Sequence, residues 1–287
     1  VMVLARARVA TGLAMDEREA LPESLRAHPP QRILVILGSY VGDAVMTTGA
    51  VRSVIARFPD AQITLETSGR AVGVFDNFPG IYARRVRCER FEKLTSVVWL
   101  WTTARFDLAI LLDNSPRRAR VTRWGGIRRV VGVRKRDEDL WLTASVRWEA
   151  HGHDPFDSLR RVLALLDADL DIAPRLYPND TARFAASRAL ATVGRRPAIG
   201  LFVDASRDSK RWPMEQFLSL AKRLEAGGLN VVAICGIGGE ALLEVCKAHG
   251  LQAVETLAHP LALAELFRGL AVLVTNDSAP VHLADAV

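Results

Sequence analysis

Cysteine is scarce in this sequence: three in 287 residues, Cys88, Cys235 and Cys246, with no CxxC pair among them. That spacing provides neither a disulfide framework nor a zinc site and suits a reducing compartment. Long apolar runs are missing too. No stretch reaches the ~18–20 residues that a membrane-spanning helix requires, and residues 1–15, broken by Arg6 and Arg8, are too short and irregular for a signal peptide. The expected location is therefore the cytoplasm. No GxGxxG turn is followed by an acid ~20 residues on, which sets aside a nicotinamide-dependent dehydrogenase. Acid is missing locally: between Arg117 and Arg136 there are nine basic residues and none of opposite sign. Such a stripe serves an anionic membrane surface or a phosphorylated substrate, or is simply a solvated face. Nucleic acid is set aside, because no stacking aromatics interleave the stripe and no nucleic-acid motif precedes it.

What remains is an ordinary globular composition, 49% hydrophobic and 24% charged, in a chain long enough for two domains of moderate size. Residues 1–30 show no clear periodicity, end in Pro29-Pro30, and are predicted to be a loose extension. The run Arg32-Ile-Leu-Val-Ile-Leu37 reads as a strand buried on both faces, followed by a Gly-rich turn and a helical pattern through Val45, Val51, Val54 and Ile55. Strands are expected again at 62–66 and 107–112. The alternation implies parallel βαβ units. Pro174, Pro178 and Pro197 flank a weaker segment, so an N-terminal domain is expected over 31–180 and a second over 181–287. The second series predicts strands at 198–203, 230–235 and 271–275, and helices at 214–226, 240–249 and 261–269. It stops soon after a last helix begins, where a Rossmann-like unit normally continues. The C-terminal domain is therefore expected to be incomplete.

In open parallel sheets, ligands sit beyond the C-terminal strand ends. Four loops in such positions carry suitable chemistry. In Gly38-Ser-Tyr-Val-Gly-Asp43, glycines allow close backbone approach, and Asp43 is either a helix cap or dipole partner, or a general base. In Ala205-Ser-Arg-Asp-Ser-Lys-Arg-Trp-Pro213, three cations and two hydroxyls suit a diphosphate, with Lys210 as a point charge, although a basic loop alone is commonly just surface. Cys235-Gly-Ile-Gly-Gly-Glu240 forms a turn whose Glu240 either caps a helix or accepts from ribose hydroxyls. In Thr275-Asn-Asp-Ser-Ala-Pro-Val-His-Leu283, Asp277 or Ser278 caps a helix, Pro280 suits its first turn, and His282 lies one turn in. Backbone N–H groups near Ser278 and Ala279 suit phosphate. His151-Gly-His153-Asp154 lacks a matching cluster for a metal, and the tryptophans at 99, 101, 124, 141 and 148 read as packing residues.

The ordered set GSYVGD, FDLAILLDNSPRRAR, ASRDSKRWP and NDSAPVHLA resembles glycosyltransferase family 9, the heptosyltransferases of lipopolysaccharide core assembly, from about Arg32 to Val287. The resemblance implies an α/β GT-B architecture, two Rossmann-like domains with parallel sheets facing across a cleft. It implies Asp43 as general base on the acceptor hydroxyl, with Ser39, Gly42, Asn114 and Arg117 on the acceptor side. Ser206, Arg207 and Lys210 would hold the donor diphosphate. Glu240 would touch the ribose, and Asp277, Ser278, Ala279 and His282 would grip phosphate and sugar. The implied partners are an ADP-heptose-like donor and a glycolipid or saccharide acceptor, reached from the inner face of the cytoplasmic membrane, with no cofactor, metal or nucleic acid. The sequence departs from the family at Leu37, where a basic residue is usual, at Met46 (His) and at Ala279 (Gly). Those departures keep a non-catalytic nucleotide-sugar or polyanion-binding protein on the same fold as the alternative.

Overall fold

The apolar run after Arg32 forms β1 (Arg32–Ile36), and Ile33 to Leu37 are all at most 3% exposed. A strand buried on both faces cannot alternate polar and apolar residues, which is why this one reads as continuous hydrophobic sequence. The computed structural model describes the backbone of residues 16–20 and all atoms of 21–86, 99, 105–113, 115–134, 141–147, 156–194, 197–205 and 207–287. Around β1, the strands β2 (Gln62–Thr67), β3 (Ala83–Val86), β4 (Leu108–Leu111), β5 (Arg129–Arg134) and β6 (Ala144–Arg147) make a six-stranded sheet, ordered β3-β2-β1-β4-β5-β6. Every pairing in it is parallel. Chain order reverses between β1 and β4, as in doubly wound folds. The helices α2 (Val41–Met46), α3 (Thr48–Arg57), α4 (Pro116–Trp124) and α5 (Asp157–Ala164) belong to the same half of the sequence.

The second sheet contains β7 (Ala198–Phe202), β8 (Asn230–Ile234), β9 (Gln252–Ala253) and β10 (Val272–Thr275), ordered β10-β7-β8-β9 and again wholly parallel. Its helices are α6 (Asp180–Ala191), α7 (Met214–Ala226), α8 (Glu240–Ala248), α9 (Pro260–Arg268) and α10 (Ala279–Asp285). Local chemistry sets their starts. Asn179 Oδ1 accepts from the Ala182 N–H at 2.8 Å to cap α6, and Pro260 opens α9 where no N–H is needed. Between β7 and β8 on one side and α7 and α8 on the other lies a core that includes Leu201, Phe217, Val231, Ala233, Leu243 and Leu251. The two free thiols Cys235 and Cys246 are buried in that core, and burial pushes both above the usual thiol range. Cys88 lies outside the described residues.

Contacts gather the described residues of 1–38, 49–67 and 80–172 into one compact unit and those of 39–48, 68–79 and 173–287 into another. Two segments that follow strands of the first sheet thus pack within the second unit. One carries Asp43. The first unit has its own core, built on Leu34, Ile36, Ala109, Leu111, Ile127 and Val130, with Trp99 and Trp141 packed against it. Trp124 is nearly half exposed and meets Trp141 edge-on at 6.1 Å. Trp101 and Trp148 lie outside the described residues.

One expectation needs correction. The segment predicted to be a loose extension contains α1 (Asp16–Ala27), with Leu25 fully buried and Leu21 6% exposed. These leucines are one turn apart, so they share a face, and Arg26 donates to Asp167 at 2.9 Å. With Leu21 and Leu25 as its buried leucines, the pattern is too short to stand out as a helical period, and Pro29-Pro30 follow the helix end at Ala27.

Candidate active site

Within the second unit, a cavity of about 500 Å³ opens beyond the C-terminal ends of β7, β8 and β10. The chain order of this sheet reverses between β7 and β10, so the cavity lies where a doubly wound sheet offers its ligand crevice. Its volume falls in the usual range for small-molecule sites. Phe202, Asp204, Ala205, Arg207 and Lys210 line it after β7, and Gly236 and Ile237 after β8. Asp277, Ser278, Ala279, Pro280 and His282 line it after β10, while Tyr40, Val41, Gly42, Asp43 and Arg70 come from the two earlier segments.

Asp43 sits in the first turn of α2, whose N-cap position is occupied by Tyr40. Its carboxylate is solvent-accessible, yet it is crowded enough that desolvation pushes its pKa above the usual value, with nearby His282 pulling the other way. A carboxylate shifted in that direction is a better proton acceptor near neutral pH. Gly42 brings this turn close to α10. A Cβ at Gly42 would stand 2.9 Å from His282 Cδ2 and 3.5 Å from Ala279 Cα, so no larger residue fits without displacing the histidine. The second glycine of GSYVGD therefore has a packing reason, and it sets Asp43 beside His282.

Lys210 Nζ is 2.7 Å from Asp277 Oδ2, and this contact holds the Asp277 carboxyl below the usual carboxylate range. Both partners are substantially exposed, so the pair is one an incoming anion can re-form around. The lysine loop is tied to the end of β10 by Asn276, which is 5% exposed. Its Oδ1 accepts from the Trp212 N–H at 2.8 Å, and its Nδ2 donates to the Asp204 carbonyl at 3.0 Å. Asn276 stands inside a motif already singled out, but its positioning role depends on partners 64 and 72 residues away. Asp204, which no sequence motif singles out, also lines the wall. It accepts from Arg211 at 3.3 Å and from the Ala205 N–H at 2.7 Å.

Ser278 occupies the N-cap position of α10, but its side chain makes no capping hydrogen bond. Ala279 has no positive φ, so alanine in place of glycine carries no backbone strain here. Glu240 begins α8 and accepts from the Gly238 N–H at 3.2 Å; it is not among the residues lining the cavity. Ser39 is also off the lining, its carbonyl accepting from Ser68 Oγ. Arg117 is exposed in the first turn of α4, in the first unit. Leu37 is fully buried there, and its carbonyl accepts from Arg118 Nη1 at 2.8 Å. Ser206, Asn114, His151, His153 and Asp154 lie outside the described residues.

The model of glycosyltransferase family 9 (heptosyltransferase) matches residues 102–287, more than half of the chain. The chain is a member of glycosyltransferase family 9. Among curated relatives, lipopolysaccharide heptosyltransferase 2 of Escherichia coli (strain K12) is 25% identical over 284 residues, covering 89% of this chain and 80% of that protein. A family 9 glycosyltransferase from Veillonella parvula shares the fold with a TM-score of 0.72 at 21% identity, over 88% of this chain and 78% of that one. An E. coli heptosyltransferase solved with ADP-2-deoxy-2-fluoro heptose matches with a TM-score of 0.63 at 16% identity, over 89% and 85%. The family 9 chain is thus a glycosyltransferase, and its two parallel sheets are those of the GT-B architecture.

Proposed function

We propose that this chain moves a sugar, heptose by its family, from an ADP-heptose-like donor to a hydroxyl of a lipopolysaccharide core or related glycolipid. The step is one inverting displacement without a metal ion. The observation that carries the reading is a single cavity, at the β7/β10 crevice, whose wall holds both Asp43 and the Lys210–Asp277 pair. Further support comes from the structural relative solved with an ADP-heptose analogue.

In this reading Asp43 takes the proton of the acceptor hydroxyl as its oxygen bonds to the anomeric carbon. The bond from that carbon to the phosphate oxygen breaks, and its electron pair leaves with the nucleoside diphosphate. Attack opposite the leaving group inverts the configuration. Lys210, Arg207 and the first-turn N–H groups near Ser278 and Ala279 meet the growing negative charge on the leaving group. Asp277, ionised beside Lys210, accepts hydrogen bonds only, so its place is against sugar hydroxyls while Lys210 takes the phosphate. Glu240 and Ser206 complete the donor side. Ser39, Gly42, Asn114 and Arg117 belong to the acceptor side, and the Arg117–Arg136 stripe holds a phosphorylated glycolipid at the inner face of the cytoplasmic membrane.

A thermal-shift panel of nucleoside diphosphates tests the donor side. ADP at 100 times its dissociation constant is expected to stabilise the fold by about 2.7 kcal/mol, ahead of UDP and GDP. Equal shifts for all three, or none, would count against an ADP-sugar donor. ADP binding without acceptor-dependent ADP release would favour the non-catalytic alternative.

A further inference from the structure

The cations of the cavity wall and of the Lys210 loop differ in how they are paired. Lys210 is engaged by Asp277, and Arg211, in the same loop, by Asp204 and Asp208 at 3.3 and 3.0 Å. Among the described residues, Arg207 and Arg70 have no ion-pair partner. Arg207 shares its loop with Lys210 and so stands on the donor side. Arg70 comes from a different part of the wall, and no sequence motif announces it.

The segment that carries Arg70 is firmly braced. Ser68 Oγ donates to the carbonyl of Ser39, which ties it directly to the loop bearing Tyr40 and Asp43. The N–H groups of Ala71 and Val72 both bond to the Ser68 carbonyl at 3.1 and 3.0 Å, closing a turn around Arg70. Beyond that turn, Asp76 meets His259 at 2.9 Å, and Gly73 lies so close to His259 and Pro260 that an added Cβ would approach both to 3.2 Å. Phe78 packs edge-on against Tyr177 at 4.9 Å between ring centres. Such a support fixes the point at which the exposed Arg70 side chain leaves the backbone at the cavity wall. Tyr40, on the joined loop, is 57% exposed at the same cavity and offers an aromatic face.

We infer that Arg70 is an acceptor-binding residue: it takes an anionic group, phosphate or carboxylate, on the acceptor saccharide, whose sugar ring lies along Tyr40 with its hydroxyl toward Asp43. The inference rests on the reading of the Asp43 loop as the acceptor side. A guanidinium suits either anion because its planar donors match two oxygens at once. The donor diphosphate has Lys210 and Arg207 within its own loop and does not require Arg70.

The test is a binding measurement, so its outcome is separate from the assignment of Asp43 as base, which turnover decides. With ADP saturating the donor side, the affinities of glucose 6-phosphate, glucuronate and glucose are compared by ligand-observed NMR for the parent protein, Arg70→Ala and Arg70→Lys. At least one acidic sugar is expected to bind the parent about tenfold more tightly than glucose, the scale of one charge-assisted hydrogen bond at an accessible site. Arg70→Ala should erase that preference and Arg70→Lys should keep part of it, with melting temperature and ADP affinity unchanged in both. The phosphate and carboxylate arms identify which acidic group is taken. No preference in the parent, a preference that survives in Arg70→Ala, or a loss of ADP affinity in its place would overturn the assignment.

Discussion

Asp43→Asn lowers the transfer rate at saturating donor by about 10²- to 10⁴-fold, the usual contribution of a positioned general base, while ADP binds as in the parent protein. Asparagine keeps the size and polarity of the side chain and removes only its ability to take a proton. Two companion observations separate this from simple damage. The parent rate should rise with pH through a group titrating above the ordinary carboxylate value, because desolvation raises the Asp43 pKa and only the ionised form accepts the proton. The stability effect has the opposite sign. With the folded pKa above the unfolded one, the fold binds that proton more tightly, so at pH above both values the ionised carboxylate works against folding. That cost is relieved as pH falls through the folded value. Asp43→Asn should therefore melt slightly higher than the parent at neutral pH while losing turnover, the pattern of a group kept for chemistry at some expense in stability. Turnover within threefold of the parent would remove Asp43 from the mechanism.

Lys210→Ala is expected to lower kcat/KM for the donor by about 10²- to 10³-fold, the scale of losing one charge-stabilising donor at a reacting centre. The pair with Asp277 makes this more than the loss of one cation. Without Lys210, the Asp277 carboxylate remains on the wall as an unbalanced negative charge beside the donor site. The double variant Lys210→Ala/Asp277→Ala should therefore bind ADP more tightly than Lys210→Ala alone, a non-additivity expected of residues in direct contact. Strictly additive losses would show that the 2.7 Å pair does not couple to the diphosphate.

Much of this was readable from sequence because its carriers are local. The buried strands announce themselves as apolar runs: β7, β8 and β10 each lie within one residue of the expected bounds, and α7 matches them. Asp43, Arg207, Lys210, Ser278 and His282 follow strand ends, where open sheets place their ligands, and the structure sets them on one cavity wall. What was not readable depends on distant contacts. Nothing in Thr67-Ser-Gly-Arg-Ala71 distinguishes Arg70 from any surface arginine; its place follows from Ser68 reaching Ser39 and from Asp76 reaching His259, 183 residues away. Asn276 becomes informative only once its amide is seen to join Asp204 and Trp212. Helix α1 departs from the expectation for a different reason: residues 1–30 show no clear periodicity and end in Pro29-Pro30, and the burial of Leu21 and Leu25 is visible only in the fold.

The most direct measurement is a crystal structure of this protein with ADP-2-deoxy-2-fluoro heptose, an analogue that a heptosyltransferase is known to hold. The expected complex has the diphosphate on Lys210 and the anomeric carbon turned toward the Asp43 carboxylate, with space between them for one hydroxyl oxygen at about 3–3.5 Å from the carbon. An analogue bound away from the β7/β10 crevice, or bound there with its anomeric carbon facing away from Asp43, would contradict the account.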